Sequence, residues 1–334
     1  MTDSRSDIVS VVERTHTVAA GGPVVAAHFL GAIAAFVLGE EAMVLAEAKG
    51  DARRLGVHGG AILATVGDGA RIVSGGDDGK IVETTAAGGT RTFASDPKHR
   101  WIDHLALVPD GAVAWSAGKS AFVQGKELRE FAAPSTVGGL GFLRKGFRLA
   151  VAHYNGASLW FPNAPQAAPE KLEWKGSHLG VTVSPDGRFL VTTMQEPMLH
   201  GWRLADRKHM RMSGYAARVT SFGWTADGDW LATSGAPQLI LWPFHGKDGP
   251  MGKEPRLLAP SEHRVGVVAC HPKQEIVAAG YGDGLVLLIR IGDGAEILAK
   301  KPGDAPVTAL GWSADGLLLA WGTESGEAGM IDLA

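Results

Sequence analysis

The chain has one cysteine in 334 residues, Cys270. A lone cysteine forms no internal disulfide, which excludes a disulfide-stapled scaffold and fits a reducing compartment. Basic excess is also lacking: 32 Lys and Arg against 35 Asp and Glu leave a formal charge of −3. Nucleic acid and anionic membranes select basic stripes, so neither is expected as a partner. No apolar run is long enough to span a bilayer. The best candidate, VVAAHFLGAIAAFVLG at 24–39, has 16 residues, carries His28 and runs into Glu40-Glu41. A spanning helix needs about 20, so this stretch reads as two buried strands joined by a tight turn. The opening MTDSRSDIVSVVERTHT has no apolar centre of a secretory signal. A cytoplasmic location is the expectation.

What the chain has in abundance is turns. Its 46 glycines and 17 prolines fall between short apolar runs. One phrase recurs: VPDGAVAW at 108–115, SPDGRFLV at 184–191, TADGDWLA at 225–232 and SADGLLLA at 313–320. Asp opens such a turn through its side chain and Gly supplies positive φ, so each phrase predicts a hairpin. Counting nine positions back from each glycine gives anchors at Ile102, His178, Val219 and Val307. Gly69 and Gly146 extend the series to Gly60 and Val137, and two pattern matches add Val24 and Val265. The anchors at 24, 60, 102, 137, 178, 219, 265 and 307 recur about every 40 residues, the length of a four-stranded repeat.

Each repeat predicts strands a, b and c, then a short d. The sixth reads VTSFGWT, DWLATSG, QLILWPF and RLLAPS. The eighth stops after its third strand, at GMIDLA. Residues 10–18, SVVERTHTV, precede the first repeat and are expected to complete the last one. The domain expected is a single one over 1–334.

The repeats resemble the WD-repeat family. That family ends strand c in Trp-Asp, and here Trp160, Trp202, Trp242 and Ile331-Asp332 hold the place. Its b–c turn carries Asp-Gly, present as Asp78-Gly79 and Asp283-Gly284. The likeness runs over about residues 8–334. It implies an all-β WD-repeat β-propeller, with eight four-stranded blades as the expectation and seven as the alternative. It also implies that polar residues such as Ser74 and Asp78 belong to an internal His–Ser/Thr–Asp–Trp network, with His58, His99 and Tyr215 near the histidine place.

Motifs of chemistry are few. There is no Gly-x-Ser-x-Gly elbow and no His-Glu-x-x-His helix. Of the 12 histidines, the tightest metal-like combination is His263, Cys270 and His271. Cys270 and His271 are strand neighbours, so they point to opposite faces and do not ligate jointly. No catalytic residue, metal or cofactor is expected. The resemblance implies a non-catalytic scaffold that binds a protein or peptide on the face bearing the d–a and b–c loops. Trp101, Arg218 and Arg264 open strand a of their repeats, and Tyr154 and Tyr281 lie in b–c turns. These five are the candidate partner-binding residues, being types enriched in hot spots. The rival site is the opposite face, where two long c–d loops lie, FPNAPQAAPEKLEW and PFHGKDGPMGKEPRLL. The alternative function is a propeller enzyme or metal-dependent small-ligand binder using the central channel. No small-molecule substrate is evident.

Overall fold

A computed structural model describes residues 9–48, 50–108, 111–143 and 145–334. Among these the regular structure is all strand, apart from one 3-10 turn at Val12–Arg14. The apolar run at 24–39 is a hairpin, Val24–Leu30 against Ile33–Leu38. Leu30 faces Ile33 across two residues, and Gly31 takes φ 62°, which a side chain would resist.

Most repeats form one antiparallel sheet in strand order a-b-c-d. The third is Leu105–Leu107, Val113–Ala117, Ser120–Gln124 and Leu128–Ala132. Strand b is buried on both faces, as every residue of Val113–Ala117 and Phe189–Met194 shows, and so is strand c in Ala42–Ala46. Strand d turns one or both faces to solvent, as in Ala52–Gly56. Apolar clusters therefore lie between consecutive sheets. Val73 and Ile81 of the second repeat pack with Ile102, Leu105, Val113 and Trp115 of the third. Each such side chain contributes about 1.5–3 kcal/mol by leaving water.

Among the described residues the strands make seven sheets, the number of the alternative, and not eight separate ones. The repeats anchored at Val137 and His178 share a single six-stranded sheet. Two continuous strands cause this. Arg148–Trp160 passes through a tight b–c turn at Tyr154-Asn155-Gly156, where Asn155 and Gly156 take positive φ. Glu170–Val183 runs from the d position of one repeat into the a position of the next. The inner strands come close here: a Cβ on Gly138 would lie 2.0 Å from the His178 carbonyl.

The N-terminal segment divides. Thr15–Ala19 pairs antiparallel with Glu327–Asp332, taking the outer place in the last repeat. Before it, Val9–Ser10 adds a fifth, parallel strand to the outer edge of Glu296–Lys300 in the seventh. By its contacts the chain separates into two compact units of four repeats each. One comprises the segment up to Gly39, Met43–Arg54 and Thr220–Ala334; the other comprises Glu40–Ala42 and Leu55–Val219.

The recurring Asp-Gly turns share one mechanism. Ser184 donates its hydroxyl to Asp186 and accepts the Phe189 N–H. Asp186 accepts the Arg188 N–H, and Gly187 takes φ 74°. Thr225, Asp227 and Gly228 repeat this, as do Ser313, Asp315 and Gly316. Of the turn at 110–111, Asp110 lies outside the described residues; Gly111 takes φ 98°.

Candidate functional site

The second repeat holds a Ser-His-Asp arrangement. His58 Nδ1 donates to Asp78 Oδ1 at 3.0 Å, and Ser74 Oγ lies 2.9 Å from His58 Nε2. Burial alone would raise the Asp78 carboxyl. The N–H groups of Gly59 and Lys80, with His58, hold it below its ordinary value instead. The distances suit acyl transfer, but the access does not. Ser74 and the His58 side chain are fully buried, so no carbonyl can reach the hydroxyl, whereas a working nucleophile stands exposed beside oxyanion donors.

The same logic recurs in the fourth and fifth repeats. His153 donates from Nδ1 to the Tyr154 carbonyl and meets Ser158 Oγ at Nε2. His178 donates from Nε2 to the Trp174 carbonyl and meets Thr192 Oγ1 at Nδ1. His200 differs. It is fully buried, and neither ring nitrogen has a hydrogen-bond partner. It stacks on Trp174 at 4.1 Å, beside Trp202 and His209. Burial chiefly, with the Arg211 cation nearby, lowers its pKa to about 3.

The metal-like combination does not converge. Cys270 donates its thiol to the Gly223 carbonyl, and burial pushes its pKa up to about 12. His271 donates from Nε2 to the Gly316 carbonyl and accepts the Lys273 and Gln274 N–H groups at Nδ1. The two side chains thus engage opposite neighbouring repeats. Among the described residues, no group of three or more His, Cys, Asp or Glu could hold a metal ion.

The five candidate partner residues fare differently. Trp101 is 63% exposed and Tyr154 58%. Their backbones are pinned. Before Trp101, the Arg100 guanidinium grips the buried Asp96 at 2.7 Å and donates to the Ala117 carbonyl. After it, buried Ile102 donates its N–H to Gly76. The Tyr154 N–H donates to Ser135 Oγ at 2.8 Å. Arg218 is exposed and reaches Gln195 Oε1 at 3.3 Å. Arg264, in the other compact unit, is exposed too. Tyr281 is a correction: it is fully buried, and its hydroxyl donates to the Ala259 carbonyl at 2.6 Å. A ring so held is core and presents nothing to a partner.

No protein-family model matches the sequence, and no curated protein does. Solved structures do match in shape. The computationally designed Ika8 protein superposes with a TM-score of 0.76 at 16% identity, over 93% of this chain and 96% of that one. The RRP9 WD40 repeats give 0.63 at 17%, over 83% and 96%. The U3-55K structure gives 0.61 at 17%, over 83% and 96%. The chain folds as a WD40-type β-propeller. In this propeller the buried His58–Ser74–Asp78 set forms the His, Ser and Asp part of the internal network that the resemblance implied, without its Trp, in the second repeat.

One feature of the propeller has no precursor among the five candidates. A cleft of about 780 Å³ opens beside the c–d hairpin of the third repeat, lined by Val123, Lys126, Arg129, Phe147, Pro162 and Asn163 among others. Pro162 and Asn163 come from the long loop FPNAPQAAPEKLEW, on the rival face. The unusual length of that loop was the only sequence signal for it. No described helix is long and apolar enough to cross a membrane.

Proposed function

We propose that this propeller is a non-catalytic scaffold that binds a protein or peptide partner through Trp101, Tyr154 and Arg218. The observation that carries this is the pinned exposure of Trp101 and Tyr154. These are the two aromatic side chains among the exposed large hydrophobics of the described residues. Water makes an exposed indole unfavourable, and anchoring by Arg100 and Ile102 leaves it little freedom to fold away. Such a side chain is pre-organised for burial against a partner, which lowers the entropy cost of binding. Arg218 adds a planar, permanently charged donor for a carboxylate or amide.

The test is comparative affinity purification from the native cell, with wild type beside Trp101→Ala, Tyr154→Ala and Arg218→Ala. A specific partner should fall away from each variant, with hot-spot losses of about 2 kcal/mol, roughly 30-fold in affinity. Equal retention by all three, with their folds intact, refutes the surface. Stoichiometric metal in the purified protein would favour the ligand-binding alternative.

A further inference from the structure

The outer edges of the sheets are open ladders, and one of them is already used. In the seventh repeat the free edge of Glu296–Lys300 takes Val9–Ser10 as a parallel fifth strand, with Val9 opposite Ile297 and the Val11 N–H donating to the Leu298 carbonyl at 2.9 Å. The fold therefore accepts an extra strand at a d position.

The d strand of the third repeat, Leu128–Ala132, ends its own sheet. Its inner side is settled by the Ala133 N–H, which donates to the Lys119 carbonyl at 2.8 Å. N–H groups alternate in direction along a strand, so those of Glu130 and Ala132 point away from the sheet. Two further observations lie at this edge. The cleft described above is lined by Arg129 of this strand and by Gly125, Lys126 and Glu127 of the turn before it. Its far wall carries Phe147, a bulky residue held at φ 43° and stacked on Phe142 at 5.5 Å. Positive φ is uncommon for such a residue, and strain of this kind gathers at functional positions. Lys126 and Arg129 face only Glu127 among the charged lining residues, and Glu127 is already paired with Arg129 at 2.5 Å.

We infer that this edge and its cleft form a second docking surface, which takes an extended segment of a partner protein, rich in acidic and apolar residues, as an added strand. Main-chain hydrogen bonds to Glu130 and Ala132 supply affinity, as in other strand additions. Alternate side chains of the segment fall on the side where the cleft opens. Apolar ones meet Val123, Phe147 and Pro162, and acidic ones meet Lys126. The surface is separate from Trp101 and Tyr154, so the two readings stand or fall apart.

The probe is a fluorescein-labelled peptide of about ten residues that alternates glutamate with valine and phenylalanine, titrated into the full chain by anisotropy. A matching peptide with lysine in place of glutamate is the control. The acidic peptide should bind saturably and the lysine peptide should not. Glu130→Pro removes an outward N–H while leaving the inner ladder whole, and should weaken binding about tenfold or more. Lys126→Glu should do the same without touching the backbone, which covers the case in which the proline variant melts early. Trp101→Ala should bind the peptide as wild type does. Absence of saturable binding overturns the inference. So does equal binding of both peptides, or an affinity that neither Glu130→Pro nor Lys126→Glu changes.

Discussion

His200 should make this protein sensitive to mild acid, by an amount the structure sets. A free histidine titrates near 6.5, and His200 in the fold titrates at about 3. Below pH 6.5 the unfolded chain takes up a proton that the folded chain refuses. The folded state therefore loses stability as pH falls from 6.5 toward 3, at about 1.4 kcal/mol per pH unit. At pH 5 the loss from this one residue is about 2 kcal/mol. His28, lowered to about 4 by burial, acts in the same direction. Replacing His200 with Leu removes the titrating group and also its two unpartnered ring nitrogens, each of which costs about 1–3 kcal/mol. The stacking lost against Trp174 is about 0.5–1.5 kcal/mol. His200→Leu should thus be no less stable than wild type at pH 7. It should gain a further 2 kcal/mol or so over wild type by pH 5. Urea unfolding at pH 7, 6 and 5, followed by tryptophan fluorescence, gives the comparison. If the gap between the two proteins is the same at pH 5 as at pH 7, His200 is not held neutral by burial and the reasoning fails.

Asp78→Ala should destabilise the fold by about 2–4 kcal/mol, because it strips a partner from buried His58 and two backbone N–H groups at once; a thermal shift no larger than that of an exposed-site variant would sink this. Deleting residues up to Ala19 should lower the melting temperature and promote association. It uncovers the edge of Glu327–Asp332 and that of Glu296–Lys300 together. Melting and sedimentation indistinguishable from those of the full chain would show that neither edge depends on the segment.

The turn chemistry made the repeats legible. Asp186, Asp227 and Asp315 each sit two residues after the Ser or Thr that bonds them, and the following glycine takes positive φ as the phrase requires. The number of sheets was less legible. Tyr154-Asn155-Gly156 turns so tightly that strands b and c run into one, and Glu170–Val183 stays one strand through Lys175-Gly176-Ser177, whose composition reads as a break. Burial of Tyr281 was hidden because both tyrosines were read in b–c turns, whereas Tyr281 is the last residue of the strand Ile276–Tyr281 and pairs with Val265. The difference is made by Ala259, a distant residue at φ 51° whose carbonyl captures the hydroxyl. The cleft was hidden for the same reason: Lys126, Phe147 and Pro162 come from three separate loops.

The buried histidines place the chemistry of this fold on one side of a line. His58, His153 and His178 each meet a Ser or Thr hydroxyl from strand b or c. Each also donates to a carboxylate or carbonyl at the other nitrogen. Both ring nitrogens are then satisfied inside the protein, and the hydroxyl is turned away from solvent. A constellation built this way stabilises a strand pair and cannot meet a substrate, however well its distances resemble those of an enzyme. The proposed partner surfaces lie instead where the backbone is fixed and a group is left unsatisfied. Trp101 fits that description through its pinned backbone and bare indole. Glu130 and Ala132 fit it through N–H groups directed away from their own sheet.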